Sequence, residues 1–491
     1  LRIQQLQAPL EEFAAAHRNQ RPPKAAAKRI AAPLRALATA LRAGGDGADK
    51  RQLDAAWGTA AEAAEAVARV ERVVEIASVA ALGREVLLEA ARHPRPLPRE
   101  DDPARFDEQQ SWSDASPRVN AARGLMLLAS HAELVDDEIL ATIEALRTDP
   151  VPVVRFFVAQ CLDWLRLTAP ELMWGTAERM LHGDESMSVL QALVTRLPLM
   201  TLPDDHVDRL LRMLREAFAR AAGAQPGAAK VRELCLRSMT NLYVMRGTAD
   251  AQQFLESEVL PKLKDDAGLA QQIPHLLRDA LTYDAPDPPG TGAEIRRRGI
   301  TLATDLFEQA AAAMSEWNTE LAGQSVGPDD PALAGPRATA QVLDGIATEV
   351  YFATGAFEEQ QGQEPTVSRA QRERFYNEAP VLLDAVCGVT FAHSTHTIIQ
   401  ALESFIPFDP RGVFLRVVRA VKSGQAGGYH TDSMAAGLVV QIVERYLAEH
   451  RTLLQQDDDC RAALIDVLDI FVGAGWPAAL RLTYGLQEIY R

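Results

Sequence analysis

The sequence predicts an all-α chain, an α-solenoid of stacked antiparallel helix pairs, and three observations lead there. Helix formers dominate its 491 residues, with 47% hydrophobic and only 6% aromatic content, and Ala, Leu, Arg and Glu recur three and four apart. A period of 35 residues runs through the first half: Asp114, Asp149 and Asp184 keep it, as do Val119, Val154 and Val189, and Leu127, Leu162 and Leu197. Ala122, Phe157 and Ala192 fill the apolar position between them. Finally, each period divides into two amphipathic helical patterns across a turn. Neither pattern can bury its apolar face alone, so neighbours must stack to make a core.

Residues 1–92 read as a helical lead-in. Within it Lys24, Lys28, Arg35 and Arg42 share one side of a segment whose other side is Ile30, Leu34, Leu37 and Leu41, the pattern of a solvated amphipathic helix. Residues 93–110, Pro-rich and acidic, are expected to form an exposed loop. The repeats are expected over 111–282. In the middle unit Ile139, Ile143 and Leu146 form one helix face, Asp149-Pro150 breaks the pattern, and Val154, Val158, Cys161, Leu162 and Leu165 continue on a second helix. Aspartate at the recurring position suits a helix cap worth about 1 kcal/mol, which leaves it no catalytic role. An insertion around Gly223 to Ala228 displaces the next unit, whose apolar marker is Val231. Tyr283 to Gly292, rich in Pro, Asp and Gly, separates the repeats from a C-terminal array of longer helices over 292–491. There the patterns run from Glu294 to Ala322, Pro331 to Gln360, Arg369 to Cys387, Thr395 to Phe405, Gly412 to Val421, Ser433 to Leu454, Cys460 to Phe471 and Trp476 to Tyr490.

Composition narrows the function classes. The formal charge of −16 disfavours broad binding to nucleic acid, which needs a surplus of Lys and Arg. Cys161, Cys235, Cys387 and Cys460 are scattered singly and fit small buried side chains in a reducing compartment. No stretch has the roughly 20 apolar residues of a membrane span, and no secretory leader is recognisable, so a cytoplasmic location is expected. A chain beginning at Leu1 suggests a piece of something larger. Phosphate-binding, dinucleotide-binding, zinc-protease and nucleophile-elbow motifs are all missing, so neither an enzyme nor a cofactor is expected. His393 and His396, three apart, lack a third ligand, and Asp457-Asp458-Asp459 suits the positive end of a helix; no metal is expected. Arg296-Arg297-Arg298 points three ways around a helix and is expected in solvent.

Asp149-Pro150 followed by Val154-Arg155, Ala159 and Leu162 resembles the HEAT-repeat pattern, and Val231-Arg232 repeats its Val-Arg pair. The resemblance covers about residues 111–265. In HEAT-like arrays the second helices line the concave side, which makes Arg123, Arg155 and Arg232 candidate partner-binding residues. The competing expectation is an internal ladder of these arginines with the capping aspartates. Ser116-Pro117-Arg118-Val119-Asn120-Ala121-Ala122-Arg123-Gly124-Leu125, Asp409-Pro410-Arg411-Gly412-Val413-Phe414, and the ending Val467 to Val472 with Gly475-Trp476-Pro477, resemble helical C-terminal regions of large bacterial STAND-type ATP-binding proteins linked to antiphage defence. That resemblance implies an upstream nucleotide-binding domain and a helical portion that recognises a trigger or partner. The expected function is a protein-interaction scaffold. The alternative is an enzyme resembling HEAT-like DNA glycosylases, disfavoured by net acidity and by the mostly apolar settings of Trp57, Trp112, Trp164, Trp174, Trp317 and Trp476.

Overall fold

A computed structural model describes residues 2–18, 20–44, 49–99, 102–111, 116–200, 206–284, 290–324, 327 and 329–489. Among these residues the regular structure is helical and no strand occurs. Among the described residues no helix is long and apolar enough to cross a membrane. Two compact units divide the chain, Leu1–Leu236 and Arg237–Arg491. The division falls inside one helix, not at the expected Tyr283–Gly292 loop, of which residues 285–289 lie outside the description.

In the first unit α1 (Arg2–Ala16), α2 (Lys24–Arg42), α3 (Lys50–Ala68) and α4 (Ala77–Ala91) pack together. The apolar side of α2 is buried, while Lys28 and Arg35 are exposed and Arg42 pairs with Glu85 and Glu89 at 2.8 Å. After α5 (Asp102–Glu108) comes α6 (Pro117–Ala129), which lies on both α3 and α4, so the lead-in is part of this unit's core. Small residues allow the approach. Ala61, Ala90 and Ala121 meet fully buried, and a Cβ added at Gly124 would come within 2.6 Å of Leu87 Cδ1.

The chain continues through α7 (Asp137–Leu146), α8 (Pro152–Gln160), α9 (Pro170–Gly183), α10 (Met187–Met200), α11 (Val207–Arg220) and α12 (Ala228–Asn241). α6, α8 and α10 pack in succession, α7 lies against α6 and α8, and α9 lies against α10 and α11. Asp136 caps α7 by accepting from Ile139 N at 2.9 Å, and Ile139, Ile143 and Leu146 are buried as expected. Val119, Val154, Val189 and Val231 are all buried, one on each of α6, α8, α10 and α12. Leu162 and Leu197 are fully buried, but Leu127 is half-buried because it shares an outward stripe with Asn120 and Arg123. The second helix of the middle unit ends at Gln160 and passes into a 3₁₀ turn, Leu162–Arg166. Asp114 and Trp112 lie outside the described residues.

The expected exposed loop over 93–110 is corrected by α5. Phe106 is buried edge-on against Phe156, their ring centroids 5.5 Å apart. The Asp107 carboxylate accepts from Ser186 Oγ at 2.6 Å, and from Met187 N and Ser188 N at 2.9 Å. A carboxylate from a distant segment thus caps the start of α10, occupying amides that would otherwise lack partners.

The second unit holds α13 (Ala249–Phe254), α14 (Leu263–Ala270), α15 (Ile273–Leu281), α16 (Thr291–Glu320), α17 (Ala334–Phe352), α18 (Ala356–Gln360), α19 (Arg369–Glu378), α20 (Pro380–Val386), α21 (Ala392–Glu403), α22 (Pro410–Gly424), α23 (Ser433–Glu449), α24 (Arg451–Gln456), α25 (Asp458–Gly473) and α26 (Pro477–Ile489). α16 packs on α15, α17 and α20; α17 packs on α21, α21 on α22, and α22 on α25. Three expected helices are each broken in two, the one over Ser433 to Leu454 at His450, between α23 and α24. Gly355, at φ +68°, ends the α17 segment, and Pro380, lacking an N–H, separates α19 from α20.

Side chains in this unit also correct the sequence reading. Arg296 is buried and clasps Glu378 at 2.7 and 2.9 Å, and Arg298 donates to Val244 O at 2.9 Å; only Arg297 is exposed, pairing with Glu294 at 2.7 Å. His396 hydrogen-bonds Gln400 at 3.0 Å, and burial lowers its pKa. Asp457 caps α25 through Cys460 N and takes Arg411 at 2.7 Å, which together hold its carboxyl down to about 2. Among the described residues no group of His, Cys, Asp or Glu is placed to hold a metal ion.

Candidate functional site

Two sets of arginines bear on a site in the first unit. The first is a buried ladder. Arg118 grips Asp149 through Nε at 2.6 Å and Nη2 at 3.0 Å, and donates to the His93 and Pro96 carbonyls at 2.8 Å. Arg155 grips Asp184 the same way at 2.7 and 3.0 Å and donates to Asp149 O at 2.8 Å. Each aspartate also accepts a backbone N–H two residues on, Val151 at 2.8 Å and Ser186 at 3.0 Å, just before α8 and α10. The aspartates therefore hold helix starts, as expected. Arg155, expected as a partner-binding residue, is instead a ladder residue: its side chain is only 15% exposed, and the ladder bonds occupy its donors.

The second set gathers where α3, α6, the 3₁₀ turn after α8, and α10 come together. Glu65 on α3 lies 3.3 Å from Arg123 on α6 and 3.8 Å from Arg69. Asp163 lies 3.8 Å from Arg196 on α10. Cys161, fully buried beneath, feels Arg123, Arg196, Asp163 and Glu65 together, and burial pushes its thiol up to about 12. None of these ion contacts has hydrogen-bond geometry. Glu65 Oε1, Asp163 Oδ1, Arg69 Nε and Arg196 Nε are buried without a hydrogen bond, and neither Arg123 nor Arg196 hydrogen-bonds another described residue. Arg123 stacks on Phe157, 5.1 Å from the ring centroid, with 35% of its side chain exposed. Burial raises the Glu65 carboxyl above the usual range, against the pull of Arg123 and Arg69, and raises Asp163 likewise against Arg196.

Arg232, on α12, stacks on Phe218 of α11 at 4.6 Å. The structure thus brings Arg123 into a charged cluster, gives Arg232 an aromatic platform of its own, and removes Arg155. Sequence reasoning missed Glu65, Arg69, Asp163 and Arg196. The only sequence signal for Arg196 was its place beside Leu197 in the repeating column, and Glu65 and Arg69 belong to no column at all. Trp174, one of the tryptophans weighed for base excision, is 1% exposed and lies beneath Arg209.

No protein-family model matches the chain, and no curated protein matches it significantly. A crystal structure of an engineered protein aligns with 16% identity, covering 84% of this chain and 95% of that one, at a TM-score of 0.21. A likeness at that score carries no argument.

Proposed function

We propose that the chain is a HEAT-like scaffold that recognises a protein partner through the cluster on α3, α6, α8 and α10, and that the partner contributes an acidic segment. The contrast between the two arginine sets carries the reading. Arg118 and Arg155 have their donors filled at 2.6 to 3.0 Å, whereas Arg123 and Arg196 sit 3.3 and 3.8 Å from carboxylates without hydrogen bonds. A planar guanidinium with open donors on an aromatic ring is suited to bidentate capture of an incoming carboxylate. The scaffold turns over no substrate. Glu62, Glu65 and Asp163 interrupt the positive charge of this face, which speaks against the continuous basic groove a base-excising enzyme needs.

The STAND-like segments support a place within a larger bacterial ATP-dependent defence or signalling protein, as its partner-binding portion. Four buried free cysteines suit the reducing cytoplasm. The test compares wild type with Arg123→Lys/Arg196→Lys, which keeps both charges beside Glu65 and Asp163 but loses the planar fork. Proteins captured by the wild type from the native host should fall at least about ten-fold with the variant, and a glutamate-rich peptide should compete for the same capture. Undiminished capture would place the surface elsewhere, and release of bases from alkylated DNA by the purified chain would favour the glycosylase reading.

A further inference from the structure

The second unit carries a groove of about 530 Å³, open to solvent, between the first half of α16 and the start of α20. Ile300, 7% exposed, supplies apolar floor, and Val381, 61% exposed, is an apolar residue at its rim. Most of the charges lining it are matched. Glu294 is held by Arg297 and Glu378 by Arg296, each at 2.7 Å. Asp305 differs: half-buried in the groove wall, it has no hydrogen bond or ion pair with another described residue. Its charged neighbours are further acids, Glu308 and Glu256, and burial together with them raises its carboxyl above the usual range. The cation that lines the groove, Arg297, is taken up by Glu294, and a desolvated carboxylate left without a cation gains most from a donor that arrives from outside.

We propose that this groove receives a single basic side chain of a partner polypeptide, its guanidinium or ammonium on Asp305 and its aliphatic stem along Ile300 and Val381. The open side suits a side chain inserted from a polypeptide; a free small molecule is ordinarily enclosed over most of its surface. Arg297 lies two turns up α16, about 12 Å along the axis, and is held by Glu294, so it leaves Asp305 to an incoming cation. The site is independent of the arginine cluster in the first unit and does not rest on its assignment.

The test uses the full chain labelled at isoleucine δ methyls and follows the Ile300 signal by NMR. The probes are the blocked peptide acetyl-Gly-Arg-Gly-amide, its Lys and Glu counterparts, and spermidine. The Arg and Lys peptides should shift the Ile300 methyl saturably and the Glu peptide should not. Asp305→Asn, which removes an uncompensated charge and so leaves the fold intact, should weaken binding at least about ten-fold. Thr301→Arg puts a cation one turn from Asp305 on the exposed side of α16 and should abolish binding at an unchanged melting temperature. The proposal is overturned if Ile300 does not respond to the Arg peptide, if Asp305→Asn binds as well as wild type, or if spermidine binds more tightly than the Arg peptide.

Discussion

Arg155 and Arg196 are both arginines beside an aspartate on the same unit, yet their removal should have different effects. The Arg155–Asp184 pair is bidentate, with side chains 15% and 3% exposed, so Arg155→Ala leaves a buried carboxylate unpaired and should cost about 3 to 5 kcal/mol in urea unfolding. Arg196→Ala gives up only a 3.8 Å contact without a hydrogen bond and should cost less than about 1 kcal/mol. Equal losses in the two variants would dissolve the distinction on which the functional reading stands. Leu162→Ala should cost about 2 to 5 kcal/mol by opening a cavity, since that side chain is fully buried. Glu65 gives a pH signature. Burial raises its folded pKa above the unfolded value, so between the two the folded state binds more protons and stability falls as pH rises. The stability of wild type minus that of Glu65→Gln should therefore decline as pH rises from about 4.3 through the folded pKa, and be constant below that window. A difference that stays constant from acid to neutral pH would contradict the burial argument.

At the scale of elements, α5 departs most from what the sequence suggested. The three hydrogen bonds of Asp107 reach residues about 80 positions away, and no local pattern announces such a contact. Pro94, Pro96, Pro98 and Pro103 with the surrounding charges read as loop, and one large apolar residue, Phe106, in a seven-residue helix makes no periodicity. Asp107→Ala should cost about 1 to 2 kcal/mol and speed amide exchange at Met187 and Ser188; unchanged exchange there would mean that the cap is dispensable. By contrast α7, α8, α10 and α12 were legible, because a buried valine recurs on each of the last three as it does on α6, and Asp136, Asp149 and Asp184 mark helix starts. The breaks at Gly355 and Pro380 were also visible in the residue types, but the apolar patterns run on across both, which hid them. The segments beginning at Ser116 and Asp409, read as STAND-like, are the starts of α6 and α22, where Pro117 and Pro410 take the first helical position and Asp409 caps α22 through Gly412 N at 2.9 Å.

For the whole molecule, the all-α class followed from composition and period, but the division into units did not. It falls within α12, where an unbroken helical pattern gives no boundary signal. The candidate site was half legible for the same reason: Arg123 sits in a repeat and was found, whereas Glu65 and Arg69 come from the lead-in, which has no repeat to align. A scaffold reading requires that a partner cover the arginine cluster and leave the ladder behind it unchanged. The most direct measurement is hydrogen exchange of the chain with and without its captured partner, resolved by peptide. Protection concentrated in the peptides of α3, α6, the turn Leu162–Arg166 and α10, lost with Arg123→Lys/Arg196→Lys, is the predicted result. Protection confined to other helices, or unaffected by that double substitution, would contradict it.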